Sequence, residues 1–456
     1  MGLKWLYSGL LDKILKLDFI CVAPNFADIL RLKFTRTALF CALSATAAFA
    51  SNLSELIDLS LKNEEYLMRE FAALKASSER KSVARAYLPE LSLKAGYLNN
   101  SFDKFITSPQ NSLFAKLSLT FLIYDGGGRE ANLRALEQSE KLANLAKTQS
   151  KNYLALSAAT LYFNYQSLQS LIKASEQKEL FLKSTLIRLE EFYKAGLAAK
   201  DALESVRAKF HLTSLELHKN RLKLMEVEKG LQELSQQNFT PQGEARLKDL
   251  GFESAQSVEV AIAKEQANVA KARLSAARAA YLPRIYLQDN FGFYRNNYGI
   301  NLPPQLGAMG LNLNEYFKKN AKNNEFFIGF EWKIFDFFST SAKVEKERLD
   351  YQIAALGASY AERKNRLEMS FLQKELKVLG EQIEALKLAN TAASLAFESV
   401  DKKYTAGLSS YNDYLQALES KFKAQSDLEL ARNEFEIAKA RYYYTLGLDI
   451  KERIEQ

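Results

Sequence analysis

The chain has 456 residues, a formal net charge of +8, and 25% charged residues. Charges of both signs are mixed along the sequence, which argues against a nucleic-acid-binding protein, because such proteins usually concentrate basic residues on one face. Only 7 prolines and 19 glycines interrupt this length, so the composition favours long helices.

Residues 1–50 are predicted to be a leader and signal peptide that is removed. Lys33 and Arg36 precede a short apolar run, and Ala48-Phe-Ala50 has the small-residue pattern of a cleavage site. A transmembrane anchor is the alternative, but the run is shorter than the roughly 20 residues that a membrane-spanning helix needs. Residues 1–30 precede the signal, and translation that begins further along is the simplest account of them.

Cleavage after residue 50 would also remove both cysteines, Cys21 and Cys41. The mature chain would then have neither a disulfide nor thiol chemistry.

The rest of the chain contains a twofold internal repeat. Three motifs recur in the same order: Tyr-Leu-Pro at Tyr87 and Tyr281, Ile-aromatic-Asp at Asp125 and Asp336, and Ala-Gly-Leu at Gly196 and Gly407. The first pair lies 194 positions apart and the other two lie 211 apart. Each half therefore has one plan, and the second half has 17 extra residues between Pro283 and Asp336.

The first repeat is predicted at 51–237. A helix over 53–85 ends before Pro89, because proline disfavours the helical conformation in the residue before it. Alternating apolar and polar residues predict strands at 89–98 and 113–124, followed by a helical hairpin at 129–236.

Asp125 is predicted as the N-cap of that hairpin. The glycines after it lack the Gly-Lys-Ser/Thr ending of a phosphate-binding loop, so a nucleotide site is not expected.

A linker at 238–253 is predicted to join the repeats. The second repeat, 254–447, follows the same order, with joints at Pro283 and Asp336 and a tail at 448–456. The predicted elements are a helix over 254–279, strands at 284–294 and 326–335, a long polar loop at 295–324, and a helical hairpin at 339–446.

The helix from 339 to about 403 would be on the order of 100 Å long, at 1.5 Å per residue. A helix of this length needs neighbours of similar length, so we expect antiparallel hairpins. Apolar residues such as Leu372, Leu376 and Leu379 recur at the 3,4 spacing of a coiled coil.

The four predicted strands each have one apolar face, and a four-stranded sheet has two open edges. Such edges are a liability in water and are not tolerated in lipid. If the strands enter a membrane, several chains must therefore close one barrel. A soluble sheet packed on helices is the alternative.

Taken together, the repeat, the Tyr-Leu-Pro joints, the two aspartates and the paired Ala-Gly-Leu turns resemble the TolC family of outer-membrane efflux channels. The resemblance covers about residues 53–447. It implies a mainly α protein with a membrane β section, in which three chains form a 12-stranded β-barrel above a long α-helical barrel in the periplasm. The loops at 99–112 and 295–324 would face the cell exterior.

The resemblance also implies roles for the hairpin tips. Six residues match the turns that dock a periplasmic adaptor protein: Ala195, Gly196, Leu197, Ala406, Gly407 and Leu408. Tyr404 matches a tyrosine that latches the closed entrance, and Asp413 matches an acidic residue at the pore constriction, where three carboxylates could attract cations.

The chain departs from the family pattern at three of these positions. Gln416 stands where other members have the acidic residue of a second ring, and Ser409 stands where they have a latching arginine. Ala202 replaces an acidic residue of the latch, although Asp201 is adjacent to it. A weaker latch and a thinner acidic ring are therefore expected.

Simpler interpretations stay open for several of these residues. Asp413 is alternatively a solvated helix residue, and Tyr404 alternatively packs within its hairpin. His211 and His218 share a helix face, but a metal site needs more than two ligands, so no metal is expected. No catalytic arrangement stands out, and neither an enzyme nor a cofactor is expected.

The function that follows is a passive exit duct of a tripartite drug efflux pump, with an adaptor and an inner-membrane transporter as partners. The alternatives are the outer component of a type I protein-secretion system and, from a different class, a periplasmic coiled-coil scaffold without a pore.

Overall fold

The computed structural model describes residues 52–100, 108–243, 245–249, 257–299 and 317–455. The predicted leader at 1–50 lies outside the described residues. So do parts of the predicted linker at 238–253 and of the predicted loops at 99–112 and 295–324.

Long helices dominate the described chain, as the scarcity of breakers predicts. They are α1 (Leu53–Ser60), α2 (Glu64–Ala86), α3 (Gly128–Lys194), α4 (Lys200–Ser235), α5 (Val258–Arg278), α6 (Ser339–Thr405) and α7 (Tyr411–Leu446). Short 3-10 turns cover Ala279–Tyr281 and Lys451–Arg453. Helices α3 and α4 pack as one hairpin and α6 and α7 as another, which confirms the predicted hairpins. Across the described residues, no helix combines the length and the apolar character that a membrane span requires.

The predicted first helix, over 53–85, is wrong in one respect, since it is two helices. Residues Leu61 to Asn63 separate α1 from α2. Asn63 caps α2 by accepting a hydrogen bond from the backbone N–H of Glu65, and its amide donates to the carbonyl of Glu233 at 3.1 Å. A contact 170 residues away in the sequence therefore helps to place the break.

The strands form one antiparallel sheet in the order β1-β2-β3-β4. They are β1 (Glu90–Asn99), β2 (Asn111–Tyr124), β3 (Arg284–Asn297) and β4 (Asn320–Glu331). Strand β2 of the first repeat pairs with β3 of the second repeat at the centre of the sheet. Each repeat therefore contributes two neighbouring strands to one sheet.

Strand β4 is displaced from its predicted position at 326–335. Its last pair is Glu331 with Arg284, and Arg284 follows Pro283, whose ring nitrogen has no hydrogen to donate. Residues 332–335 therefore have no partner strand among the described residues. At the other end, residues 320–324 read as polar loop, yet pairing with β3 makes them strand.

The helix-to-strand joints contain the predicted prolines. Pro89 and Pro283 directly precede β1 and β3. Leu282, the residue before the second proline, has the extended conformation (φ −100°, ψ 156°) that a following proline favours.

The strand-to-helix joints contain the predicted aspartates, but Asp125 is not the N-cap residue. Gly127 occupies that position. The Asp125 carboxylate instead accepts the backbone N–H of Arg129 at 2.9 Å. Asp336 accepts the backbone N–H of Thr340 at the same distance. Both carboxylates thus cap the first turn of a long helix from two residues before its N-cap.

These two joints differ in one respect. Gly126 and Gly127 have φ of 75° and 81°, and the repeat-related Phe337 and Phe338 have φ of 51° and 65°. A Cβ on Gly126 would lie 2.5 Å from the carbonyl oxygen of Ala279, so only glycine fits there. The two phenylalanines are 86% and 74% exposed, and both rings lie beside the ring of Phe335.

The largest buried cluster surrounds the middle of the helices, where the linker crosses them. Lys439 of α7 is buried there and donates to the carbonyl of Leu247 at 2.9 Å, while Glu436 accepts the backbone N–H of Leu247 at 2.7 Å. A buried pair of opposite charges therefore fastens the linker to α7. Burial raises the pKa of the Glu436 carboxyl, and the linker N–H and Lys439 oppose that effect.

Candidate functional site at the hairpin tips

The two hairpin turns have the same local geometry. Gly196 and Gly407 have φ of 72° and 73°, in the left-handed region that glycine adopts without steric cost. The N–H of Leu197 bonds the carbonyl of Phe192, and the N–H of Leu408 bonds that of Lys403, each at 2.8 Å. This six-residue pattern is typical of glycine-terminated helices.

All six predicted docking residues are exposed on these turns. Leu197 and Leu408 are 77% and 79% exposed, so each turn presents one large apolar side chain to its surroundings. A Cβ on either glycine would meet open space, so the backbone conformation alone accounts for glycine there.

The tips of the two hairpins lie against each other. Tyr411, at the start of α7, packs on a cluster that contains Leu189, Leu203 and Val206 of the first hairpin. Lys209 of α4 also pairs with Glu419 of α7 at 3.3 Å. The predicted site residues of both repeats therefore belong to one end of the molecule.

Tyr404, the predicted latch residue, packs among aromatic rings. Its ring stacks on Tyr414 with centroids 4.6 Å apart and meets Tyr411 at 6.0 Å. Tyr414 in turn stacks on Phe181 of the first hairpin at 5.5 Å. We call Phe181, Phe397, Tyr404, Tyr411 and Tyr414 the tip aromatic cluster.

Burial dominates the electrostatics of this cluster. It raises the pKa of the Tyr404, Tyr411 and Tyr414 hydroxyls, so these side chains are neutral at any physiological pH. Among the described residues, no hydrogen bond joins Tyr404 to Asp201 or Ser409. Aromatic packing rather than a polar latch holds Tyr404 within this chain.

Asp413 takes part in a capping box at the start of α7. Its carboxylate accepts hydrogen bonds from the Ser410 hydroxyl at 2.6 Å and from the Ser410 backbone N–H at 3.2 Å. Ser410 accepts the Asp413 N–H in return. These bonds, with a longer one from Ser409, lower the pKa of the Asp413 carboxyl, which is ionised at neutral pH.

Asp413 and Gln416 are both exposed and lie one helical turn apart on the same face of α7. The structure therefore brings together Ser409, Asp413 and Gln416, and separately Tyr404 with the other aromatic residues. Sequence reasoning missed Phe181 and Tyr414, although Tyr411 and Tyr414 stand three apart in the first turn of α7. Among the described residues, no group of three or more His, Cys, Asp or Glu side chains is placed to hold a metal ion.

Comparison with known proteins gives a family match and a set of similar folds. Residues 56–235 and 253–448 match the family model described as outer membrane efflux protein. Among curated proteins, none matches the chain.

Three solved structures illustrate the fold similarity. CusC is 18% identical with a TM-score of 0.74 over 87% of this chain and 92% of its own. VceC of Vibrio cholerae is 16% identical with a TM-score of 0.75 over 87% and 96%. The CmeC outer membrane channel of Campylobacter jejuni is 16% identical with a TM-score of 0.75 over 87% and 86%.

The packing of Tyr404 predicts how its variants behave. Tyr404→Phe keeps the ring stack and should leave trypsin cleavage at Lys402 and Lys403 unchanged. Tyr404→Ala removes the stack, which contributes about 0.5–1.5 kcal/mol beyond area burial, and should speed cleavage several-fold. Cleavage rates measured by mass spectrometry on the assembled protein test this.

Tyr193→Ala is the matched control. Tyr193 is the repeat-related tyrosine, 42% exposed, and among the described residues it has no ring partner. Faster cleavage in Tyr404→Phe would instead show that the hydroxyl holds the tip closed.

Proposed function

This chain belongs to the outer membrane efflux protein family, and we propose that three copies of it form the exit duct of a tripartite drug efflux pump. It lies in the outer membrane and extends into the periplasm. The sheet supplies the membrane section and the helical hairpins supply the periplasmic section. The duct is passive; an inner-membrane transporter supplies the energy through an adaptor.

The observation that carries this proposal is the unequal burial of two equivalent helices. Helices α3 and α6 are both 67 residues long and related by the repeat, yet α3 has 17 buried residues and α6 has two, Leu372 and Leu376. Helix α3 packs between α4, α5 and α7 of its own chain. Among the described elements, helix α6 packs on α5 and α7 of its own repeat but lacks extensive contacts equivalent to those that α3 makes with the other repeat, and a second copy would supply them.

An apolar stripe on α6 supports this. It consists of Ile353, Leu356, Tyr360, Leu367, Phe371, Val378, Leu388 and Leu395, all at least 59% exposed. Because α3 packs on α5 and α7, the repeat places α2 and α4 of a second copy against α6. Those helices expose apolar residues of their own: Met68, Phe71 and Leu74 on α2, and Leu212, Leu215, Leu222 and Met225 on α4.

The sheet supports the same arrangement. Leu117 of β2 lies opposite Phe291 of β3. By the internal repeat, Leu117 corresponds to Ile328 of β4, 211 positions later, and Phe291 corresponds to Tyr97 of β1, 194 positions earlier. We therefore expect Ile328 of one copy to lie opposite Tyr97 of the next. The same register gives residues 332–335 of β4 the partners that they lack within one chain. Three copies would then close a 12-stranded barrel without a free edge.

The hairpin tips form the periplasmic entrance in this arrangement. The exposed Leu197 and Leu408 turns face the adaptor, and apolar contact from all three chains would dock it. Three Asp413 carboxylates around the axis form the narrowest ring. Because Gln416 is uncharged, the constriction has this one acidic ring and not two. Because no hydrogen bond joins Tyr404 to Asp201 or Ser409 within the described part of one chain, an entrance latch of these residues would form between neighbouring copies and would be weaker than one built on an arginine.

Cells that lack this protein should accumulate more dye and antibiotic, because the pump then has no exit through the outer membrane. Their secreted proteins should be unchanged. Accumulation assays and the secreted proteome measure the two outcomes. Normal accumulation with one missing secreted protein would place the channel in type I secretion instead.

Returning the gene should restore efflux, whereas a Gly407→Val variant should not. Valine is strained at a φ of 73°, so the docking turn changes shape while the trimer persists. Normal adaptor cross-linking in this variant would remove the turn from the docking surface.

Cysteine pairs test the trimer and its register, since the mature chain is expected to be free of cysteine. Ile328→Cys with Tyr97→Cys should give disulfide-linked oligomers on a non-reducing gel. Leu117→Cys with Phe291→Cys is the matched intrachain control. Ile328→Cys with Leu93→Cys, out of register by about 13 Å along the strand, should give none. Monomers from the first pair would contradict this barrel.

The Asp413 ring predicts the ion preference of the open duct. Asp413→Asn should lower cation preference in planar bilayers, and Gln416→Asp should raise it. Glu434→Gln, an exposed change on α7 roughly 30 Å away, is the control. Because the pKa of Asp413 is lowered, the wild-type preference should persist below the ordinary aspartate range and fall only at lower pH. Unchanged selectivity in Asp413→Asn would remove it from the constriction.

A further inference from the structure

The end of the sheet farthest from the helices carries cations on the same face as the apolar residues. Two rows of paired residues define that face there: Ala95, Ala115, Phe293 and Lys322, then Tyr97, Leu113, Arg295 and Asn320. In the proposed barrel this is the lipid side. Arg295 and Lys322 thus stand where the apolar band ends.

These cations are exposed, and none of them has an acidic partner among the described residues. Arg295 and Lys322, together with Lys318 and Lys319 before β4, form no ion pair with any described residue. The Lys322 ammonium lies 5.6 Å from the centre of the Phe293 ring. Within the described strands, Asp289 is the one acidic residue on this face. It lies four residues before Phe293 on β3, about 13 Å closer to the helices. The positive charge is therefore uncompensated within the sheet face.

A groove accompanies the cations. It has a volume of about 520 Å³, and Ala95, Leu113, Ala115 and Phe293 line it beside Arg295 and Lys322. The small side chains of the two alanines leave a depression between larger neighbours. Such a surface is suited to a hydrocarbon chain, and its upper edge is suited to an anion.

We propose that this surface binds a phosphorylated, acylated glycolipid of the outer leaflet, with a phosphate between Arg295 and Lys322 and an acyl chain in the groove. The two residues are diagonal neighbours on adjacent strands, about 7–8 Å apart at the backbone. Two long cationic side chains at that separation reach one phosphate group. The site rests on the proposed placement of the sheet in the membrane, and it is independent of what the duct carries.

The combination of charge and groove selects this ligand. A free anion would meet the cations without using the groove, and an uncharged lipid would use the groove without meeting the cations. A phosphorylated lipid satisfies both, because its head group and chain are joined at the membrane surface. Juxtamembrane cations attract anionic lipid by the same electrostatics.

Native mass spectrometry of the purified protein in detergent, titrated with diphosphorylated lipid A, tests the site. Arg295→Gln with Lys322→Gln should weaken binding about 30-fold, which corresponds to about 1 kcal/mol for each cation. Lys94→Gln with Lys116→Gln removes the same charge from the opposite face of the sheet and should leave binding unchanged.

The same lipid with both phosphates removed should bind the wild-type protein about as weakly as diphosphorylated lipid A binds the Arg295/Lys322 variant. Millimolar inorganic phosphate should fail to displace the intact lipid. Equal loss in both double variants, equal binding of the two lipids, or displacement by phosphate alone would each overturn the site. The spectra also report subunit number, so failure to form a trimer would count against the duct, whereas unchanged lipid binding in an intact trimer would count against the site alone.

Discussion

The backbone hydrogen-bonding groups along the outer edges of β1 and β4 set the main constraint on this molecule. In the described chain, β1 pairs with β2 and β4 pairs with β3, which leaves one edge of each strand open. Lipid provides no water to satisfy such groups, and each costs several kcal/mol if it stays unpaired. The exposed stripe on α6 imposes a similar demand below the membrane. The proposed cyclic arrangement of copies would meet both demands, and the positions of the tips and of the sheet faces would follow from it.

The sequence predicts those parts of the fold that depend on local signals. Few breakers predict the long helices, proline predicts the start of β3, and glycine predicts both hairpin turns. The end of β4 at Glu331 and the break before α2 depend on distant partners, namely Arg284 and Glu233. A sequence pattern contains no direct record of such contacts.

The tips show the same limit at the level of single residues. Glycine at 196 and 407 is favoured by a local backbone conformation, so the turns are recognisable from the chain alone. The environment of Tyr404 depends on Phe181, which comes from another hairpin and lies more than two hundred residues earlier in the sequence. Tyr404 could therefore be singled out, while its neighbours could not. Its ring partners, rather than the residues at 201 and 409, determine its position within the chain.

The unequal strand-to-helix joints have a consequence for how the proposed ring of copies would deform. A ring of six identical half-chains would have six equivalent strand-to-helix joints at its membrane edge. Because each chain contains two fused repeats, the sequences of its two strand-to-helix joints can differ. Around the proposed ring, joints with Gly126 and Gly127 would therefore alternate with joints that have Phe337 and Phe338. A left-handed backbone costs phenylalanine on the order of 1 kcal/mol more than it costs glycine. The strained joint, with Phe337 and Phe338, occurs once in each chain. The stiffness of the proposed ring would therefore repeat three times around its axis, although its helices and strands repeat nearly six times.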